Sequence, residues 1–265
     1  MPNDAALTVT DLVVRFGGVT ALDGVSFSVR PGEVCGLIGP NGAGKTTLFD
    51  CVSRLTRPRS GRIELDGHDL LALPAHRVAG LGVSRTFQHL GLVPSLSVRD
   101  NVMLGAQESV GFVSAALRLP GVRKAERALR ERSDAVLERF GLAALAAHPA
   151  AGLPYGTLKR VELARALAAH PARRSTGGTT NKPALLMLDE PASGLSHGEV
   201  DELAGLIEDV RAGTTVLLVE HHMGMVMRLS DTVVVLDFGK VVATGTPAEV
   251  REDPAVLAAY LGTPA

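Results

Sequence analysis

The sequence predicts an α/β protein whose main sheet is parallel and whose middle region is helical. Short apolar runs at residues 33–39, 185–189 and 215–220 are typical of strands that are buried on both faces of a sheet. No strand pattern occurs between about residues 90 and 170, where Ala, Leu, Arg and Glu dominate. The predicted order is therefore β, α/β, an all-helical insertion and α/β again.

Each element is predicted from local periodicity and from the turn residues that bound it. Residues 7–16 alternate apolar and polar side chains, and Val25, Phe27 and Val29 repeat with a period of two, so both segments favour half-exposed strands. The predicted strands are residues 7–16, 25–29, 33–39, 61–66, 185–189, 215–220, 232–236 and 240–244. The predicted helices are residues 45–55, 100–104, 123–140 and 156–170.

Composition argues against several functional classes. The 27 basic and 28 acidic side chains give a formal net charge of −1, and aromatic residues make up 3% of the chain without any Trp. A general nucleic-acid binder usually carries a basic excess and stacking aromatics, so we expect no nucleic-acid partner. The mean hydropathy is +0.20, yet no apolar run approaches the roughly 20 residues of a spanning helix, and no signal peptide is evident.

Two further features receive a structural interpretation. Cys35 and Cys51 have no metal-ligand neighbour at a useful spacing, so we expect both to be small buried hydrophobes in a reducing cytoplasm. Residues 171–183 are polar, rich in Gly and Thr, and bracketed by prolines, which predicts a surface loop.

A phosphate-binding loop follows the strand at residues 33–39. Residues 39–46 match the pattern G-x-x-x-x-G-K-[ST], in which glycines bring backbone N–H groups to the phosphates at the start of a helix. We expect Lys45 to reach the β- and γ-phosphates and the Thr46 hydroxyl to bind Mg²⁺. The predicted ATP contacts in this loop are Gly39, Pro40, Asn41, Gly42, Ala43, Gly44, Lys45, Thr46 and Thr47.

A second acidic feature ends the strand at residues 185–189. Four apolar residues precede Asp189 and Glu190, so both carboxylates are predicted at the carboxyl end of a buried strand, where ligands bind in open α/β sheets. Asp189 is a candidate Mg²⁺ ligand of the Walker-B type, and Glu190 is a candidate base for the attacking water.

Further landmarks resemble the ATP-binding subunit of ABC transporters over about residues 7–262. These landmarks are Arg85-Thr-Phe-Gln88-His, Leu153-Pro-Tyr-Gly156-Thr157, Ser193-Gly-Leu-Ser196 and His221. The first of them and the ending Ala259-Tyr-Leu-Gly262 are most similar to the ATPases of branched-chain amino acid importers. The resemblance implies a P-loop NTPase (RecA-like) core sheet with an antiparallel β subdomain and a helical insertion. It implies a single cassette, with the α/β core at residues 1–90 and 160–265 and the helical subdomain at residues 91–159.

The same resemblance implies roles for individual residues. Phe16 would stack on adenine, Gln88 would contact Mg²⁺ and the attacking water, and His221 would bond the γ-phosphate. Gly156 would present a helix N-terminus to the nucleotide of a partner ATPase, because two such subunits sandwich two ATP molecules in this family.

Partners and location also follow from the resemblance. They are a second ABC ATPase subunit, a transmembrane permease on another chain, an indirectly contacted solute-binding protein, and the cytoplasmic face of the membrane. Alternatives remain open: a urea or amide importer, a lipopolysaccharide exporter, a soluble ABC ATPase of DNA repair or translation, and a regulatory module without turnover.

The signature loop departs from the family pattern Leu-Ser-Gly-Gly-Gln. Pro154 stands in place of Ser and Thr157 in place of Gln, while Ser196 occupies a position that is usually Asp or Asn. The hypothesis is that this chain contributes a weak signature side, so that the two composite sites are unequal when it pairs with a sister ATPase.

Two motif matches are interpreted as coincidental. Asp237-Phe-Gly239 spells the kinase metal motif, but no catalytic H-R-D loop accompanies it, so a hairpin turn is predicted. His221 and His222 are adjacent on an extended segment and point in opposite directions, which disfavours joint metal chelation.

Overall fold

The structure is a computed structural model, and the chain forms two compact units. The first unit comprises Met1–Arg85, Ala184–Ser193 and Val200–Ala265, and the second comprises Thr86–Pro183 and Gly194–Glu199. The described residues are 6–87, 90–105, 120–168, 173–175, 178–180, 184–211 and 213–261. The boundaries expected from sequence, near residues 90 and 160, stay a prediction.

The strands and helices of the described segments follow the expected order. The strands are Leu7–Phe16 (β1), Val19–Val29 (β2), Val34–Ile38 (β3), Ser60–Leu65 (β4), His68–Asp69 (β5), Val83–Arg85 (β6), Arg173–Ser175 (β7), Gly178–Thr180 (β8), Leu185–Asp189 (β9), Thr215–Val219 (β10), Thr232–Asp237 (β11) and Lys240–Gly245 (β12). The helices are Lys45–Val52 (α1), Ala75–Gly80 (α2), Val98–Gly105 (α3), Pro120–Arg139 (α4), Tyr155–Ala168 (α5), His197–Arg211 (α6), Met223–Leu229 (α7), Pro247–Glu252 (α8) and Pro254–Leu261 (α9).

The main sheet of the first unit has six strands in the order β12-β11-β3-β10-β9-β6. All neighbours are parallel except β11 and β12, which form an antiparallel hairpin. Every residue of β3, β9 and β10 is buried, as their unbroken apolar runs predict. The sheet order places the carboxyl ends of β3, β10 and β9 side by side.

A second, antiparallel sheet in the same unit has the order β2-β1-β4-β5. Its buried face shares one apolar core with α1 and with the main sheet, including Leu12, Val25, Phe49 and Leu217. The α/β prediction with an antiparallel β subdomain is therefore confirmed.

The second unit is helical over its longer described segments. Helix α3 packs against α4 and α5, and Leu137, Phe140 and Val161 are buried. The fully buried Asn101 amide joins this packing to the preceding turn, since its Oδ1 accepts from the Val93 N–H at 2.7 Å and its Nδ2 donates to the Val93 carbonyl at 3.0 Å. Among the described residues, no helix is long and apolar enough to cross a membrane.

The structure differs from the sequence-based expectation in several places. Helix α1 ends at Val52 rather than at residue 55, because Arg54 adopts a left-handed φ of 62°. Within residues 171–183, where a surface loop was predicted, β7 and β8 form a short antiparallel pair. Strand β6, with three residues, offers too short a pattern to be predicted.

Two smaller predictions are confirmed. Phe238 and Gly239 form a two-residue turn between β11 and β12, with φ values of 42° and 77°. Cys35 and Cys51 are completely buried thiols. Burial is the main cause that raises the pKa of both, and it takes that of Cys51 to about 12, so neither thiol ionises in the folded protein at neutral pH.

Candidate functional site: a phosphate loop beside an acid–histidine pair

The phosphate loop joins β3 to α1 in a conformation that requires glycine. Gly39, Gly42 and Gly44 have φ values of 148°, 81° and 105°. A Cβ on Gly39 would lie 2.0 Å from the Leu236 carbonyl oxygen, and one on Gly44 would lie 2.7 Å from the Ala21 oxygen. Close packing behind the loop therefore excludes side chains at two of its glycines, and the loop's N–H groups lead directly into α1.

Lys45 lies under this loop and is held by its backbone. Its Nζ donates to the carbonyl oxygens of Gly39 at 2.6 Å and Pro40 at 2.9 Å. Burial lowers the pKa of Lys45, while the nearby carboxylates of Glu190 and Asp189 act in the opposite direction. The side chain of the next residue, Thr46, is exposed at the start of α1. The Lys45 ammonium and the Thr46 hydroxyl therefore adjoin the same loop, as the sequence predicts.

Asp189 ends β9 and is paired with a buried arginine. Arg85 donates from Nη2 to Asp189 Oδ2 at 3.0 Å and from Nη1 to Asp50 Oδ1 at 2.7 Å. It also donates from Nη1 to the Ser53 hydroxyl at 3.3 Å and lies 5.4 Å from the centre of the Phe49 ring. Burial raises the pKa of Asp189, and Arg85 opposes that rise by hydrogen bonding and by charge. Arg85 thereby connects β6, α1 and β9 around the Asp189 carboxylate.

Glu190 and His221 form a hydrogen-bonded pair. The distance between Glu190 Oε1 and His221 Nε2 is 2.9 Å. Glu190 has a φ of 48°, a strained value for a residue with a side chain, and its N–H donates to the Val219 carbonyl at 2.9 Å. The turn after β9 thus brings its acid to the histidine that follows β10.

A buried carboxylate, Glu220, supports both turns. Its Oε1 accepts from the Ala192 N–H at 2.6 Å, and its Oε2 accepts from the N–H groups of His221 at 2.8 Å and His222 at 3.0 Å. One side chain therefore fixes the backbone on both sides of the Glu190–His221 pair.

The signature loop lies in the second unit, at the start of α5. Pro154 accepts the first helical bond, from the Leu158 N–H at 3.0 Å. Gly156 is buried, and a Cβ there would lie 2.2 Å from Glu199 Oε1, so a larger residue would require the Glu199 side chain to shift. Thr157 is also buried, with 8% of its surface exposed. Pro154 and Tyr155 are the exposed residues at the helix start.

The remaining predicted positions have separate outcomes. Phe16 ends β1 and is 53% exposed, so its ring is accessible to a ligand. Gln88 lies outside the described residues. Asn41 and Gly42 are exposed at the tip of the phosphate loop, Thr47 is half-buried, and each stays a predicted contact.

Sequence reasoning assigned no role to Arg85, Glu220 or Tyr260. Arg85 and Glu220 each adjoin a predicted motif, but their partners are far away in sequence. Tyr260 bonds to the Gly39 backbone, and burial raises the pKa of its phenol against the effect of that bond. Of these three residues, Glu220 is the one that the sequence could have indicated. It directly precedes the predicted His221, and a charged residue at the end of a buried strand usually has a partner.

Comparisons with known proteins agree with this arrangement. A family model described as "ABC transporter" matches residues 22–173, and one described as "Branched-chain amino acid ATP-binding cassette transporter" matches residues 240–265. The branched-chain amino acid transport ATP-binding protein LivG of Escherichia coli (strain K12) is 40% identical over 97% of both chains. BraF of Pseudomonas aeruginosa, described in the same terms, is 39% identical over the same shares.

Solved structures give the same result. A nucleotide-free ATP-binding cassette of an ABC transporter superposes with a TM-score of 0.81 at 28% identity, covering 98% of this chain and 100% of the other. An ATP-binding cassette in its ADP conformation gives the same TM-score and identity over 98% and 99% of the two chains. The chain therefore belongs to the ATP-binding subunits of the ABC transporter family.

Proposed function

We propose that this protein hydrolyses ATP with Mg²⁺ and thereby powers the uptake of branched-chain amino acids through a separate membrane permease. The observation that carries the proposal is the position of three site elements, which lie side by side at the carboxyl ends of neighbouring strands. The phosphate loop follows β3, His221 follows β10, Glu190 follows β9, and these strands are consecutive neighbours.

The phosphate loop fits a nucleoside triphosphate. Close packing behind Gly39 and Gly44 leaves room for backbone only, and the loop ends at the N-terminus of α1, where an anion is stabilised by N–H groups and the helix dipole. Lys45 already lies within the loop and would exchange its carbonyl partners for phosphate oxygens.

The oxygen donors fit Mg²⁺. Thr46 would supply a hydroxyl, Asp189 a carboxylate, and Gln88 an amide oxygen, which are the ligands that this hard cation prefers. Among the described residues, His, Cys, Asp and Glu form no group of three or more that could hold a metal ion. A cation shared with substrate phosphates needs no such group, because Mg²⁺ usually keeps one or two carboxylates besides phosphate oxygens and water. When bound, Mg²⁺ supplies charge neutralisation at the β- and γ-phosphates.

The Glu190–His221 pair fits the hydrolytic step. A water oxygen forms a bond to the γ-phosphorus, the bond from that phosphorus to the β–γ bridging oxygen breaks, and Glu190 accepts the proton of the water. His221 holds the Glu190 carboxylate at 2.9 Å and would bond the γ-phosphate. Phe16 would stack on the adenine ring.

The transported solute and the partners are inferred from the relatives. LivG and BraF are described as high-affinity branched-chain amino acid transport ATP-binding proteins, and both align with nearly the whole chain. We therefore expect a permease and a second ATPase subunit as direct partners at the cytoplasmic face of the membrane, with a solute-binding protein acting through the permease.

Uptake by the native complex tests this proposal. The complex is co-purified through a tag on this chain and reconstituted in vesicles, with its solute-binding protein and with ATP on the side of the ATPase. We expect ATP-dependent uptake of labelled leucine that isoleucine and valine compete for and urea does not. ATP hydrolysis without branched-chain amino acid uptake would overturn the solute assignment, and a complex that binds but never hydrolyses ATP would support the regulatory alternative.

A further inference from the structure

Phe238 is an exposed aromatic residue in a strained turn. With 86% of its surface exposed, it is the most exposed of the large apolar side chains in the described part of the chain. It occupies the first position of the two-residue turn between β11 and β12 with a φ of 42°. Such turns favour Asn or Asp followed by Gly, because a bulky side chain is strained at positive φ. The backbone conformation of Phe238 is therefore strained, and its exposed ring gains no burial energy that would offset the strain.

The turn that carries Phe238 is fixed against the phosphate loop. The Gly239 N–H donates to the Ala43 carbonyl at 3.0 Å, and the Gly239 carbonyl accepts from the Asp23 N–H at 2.8 Å. Lys240 and Asp23 form an ion pair at 3.2 Å. A Cβ placed on Gly44 would lie 3.7 Å from the Gly239 Cα. The turn thus holds Phe238 next to the start of α1.

The order of strands in the main sheet indicates which end of a bound nucleotide lies on the side of Phe238. Strand β3 lies between β10 and β11. The Glu190–His221 pair is on the β10 side, so the γ-phosphate end of the nucleotide belongs there. The nucleoside end must then extend toward β11, whose carboxyl end leads into Phe238.

The predicted adenine contact lies on the same side. Phe16 is paired with Val19, two residues before Ala21 along β2. The Ala21 carbonyl oxygen would lie 2.7 Å from a Cβ on Gly44 and also 2.7 Å from one on Gly239. Two exposed aromatic residues, Phe16 and Phe238, are therefore carried by the β1–β2 and β11–β12 hairpins, which meet behind Gly44 of the phosphate loop.

We propose that Phe238 is a second aromatic contact for the purine base of the nucleotide that the phosphate loop binds. This inference rests on the proposed ATP binding and adds a residue that determines base affinity. Backbone strain clusters at ligand-binding sites, and an exposed aromatic ring next to a nucleotide can stack on its base.

The test compares ATP with inorganic tripolyphosphate, which has the phosphates but no base. Dissociation constants are measured by calorimetry on the full-length protein and on the variants Phe238→Asn, Phe238→Ala and Phe16→Ala. We expect Phe238→Asn and Phe238→Ala each to weaken ATP binding by roughly 5- to 10-fold, at the lower end of a stacking contact. Tripolyphosphate binding should stay within twofold of wild type.

Phe238→Asn is the decisive variant because Asn suits the turn better than Phe. Its melting temperature should equal or exceed that of wild type, so weaker ATP binding would not reflect misfolding. Unchanged ATP affinity in this variant would overturn the role of Phe238. An equal loss for ATP and tripolyphosphate would also overturn it, because the residue would then act through the loop and not through the base. A wild-type protein that binds tripolyphosphate but not ATP, or binds neither, would instead refute the proposed function.

Discussion

The phosphate loop and the signature loop both adjoin the start of a helix and both contain glycine, but they differ in their side chains. Each precedes or opens a helix, and each contains a glycine whose replacement would produce a clash, at Gly44 with the Ala21 oxygen and at Gly156 with Glu199. The phosphate loop adds an ammonium and a hydroxyl, from Lys45 and Thr46. At the signature loop, Pro154 provides neither a hydroxyl nor a backbone N–H.

The two loops therefore differ in what they offer a phosphate group besides glycine. Gly44 is required by its φ of 105° and by the Ala21 carbonyl oxygen behind it, whereas a Cβ on Gly156 would meet only the Glu199 side chain, which can shift. Lys45 is buried against the loop carbonyls and Thr46 presents an exposed hydroxyl beside it, a combination that points to phosphate chemistry. We therefore expect the phosphate loop to be the strong half of this subunit and the signature loop the weak half.

Removal of the Lys45 ammonium should produce the largest effect on nucleotide affinity. Lys45→Ala loses charge-assisted hydrogen bonds to two phosphate groups, so we expect ATP affinity to fall by about 100-fold. Calorimetry on the full-length protein measures this loss. Arg62→Ala, which removes an exposed cation of the same unit, should bind ATP like wild type. An unchanged affinity in Lys45→Ala would show that the nucleotide binds elsewhere.

Replacement of Arg85 should produce the next largest effect, and it tests how Asp189 is held. Arg85→Lys keeps the positive charge but cannot bridge Asp50 and Asp189 with a planar guanidinium. We expect the Mg²⁺ concentration for half-maximal enhancement of ATP binding to rise by about 10-fold, as is usual when a residue that orients a metal ligand is lost. ATP affinity without Mg²⁺ should not change.

The Arg85 experiment has a structural control. Arg85→Met leaves two carboxylates without their buried partner, so it should lower stability strongly in a thermal melt, whereas Arg85→Lys should remain folded. If Arg85→Lys is folded and keeps the wild-type Mg²⁺ dependence, then Arg85 serves only the packing of β6 on α1.

The smallest effect is expected at the signature loop. Pro154→Ser restores a hydroxyl and a backbone N–H at an exposed position, and one added hydrogen bond predicts a rise of roughly 2- to 10-fold in the ATP turnover of the native complex. Pro154→Ala restores the N–H alone and isolates the contribution of the hydroxyl. Equal turnover in all three proteins would remove the hypothesis of a weak signature side.

Periodicity and motif spacing predicted much of the fold, because the buried strands are continuous apolar runs. Strands β1 and β9 have the predicted bounds, and the phosphate loop lies between a strand and a helix as expected. The prediction was weakest where contacts between residues far apart in sequence determine the structure. Arg85 interacts with Asp50 and Asp189, which are 35 and 104 residues away, and no local pattern encodes such partners.

The strained positions were also beyond local patterns. Glu190 has a left-handed backbone conformation that its residue type disfavours, and the bond of its N–H to Val219 on the neighbouring strand compensates in part. Phe238 was predicted within a hairpin turn, but its exposure became evident only in three dimensions. Glu190 belongs to the candidate site, where backbone strain is commonly part of function, whereas Asp11, Arg54 and Asp66 show that positive φ values also occur outside it.

The central claim, that this subunit contains a complete hydrolytic half-site, is tested most directly by Glu190→Gln in the native complex. The variant keeps the size of the side chain and its contact with His221 while it removes the base. We predict that it binds ATP as tightly as wild type, traps an ATP-bound dimer, and loses roughly 100-fold or more of its turnover. Undiminished hydrolysis by this variant would contradict the account and assign the base to another residue.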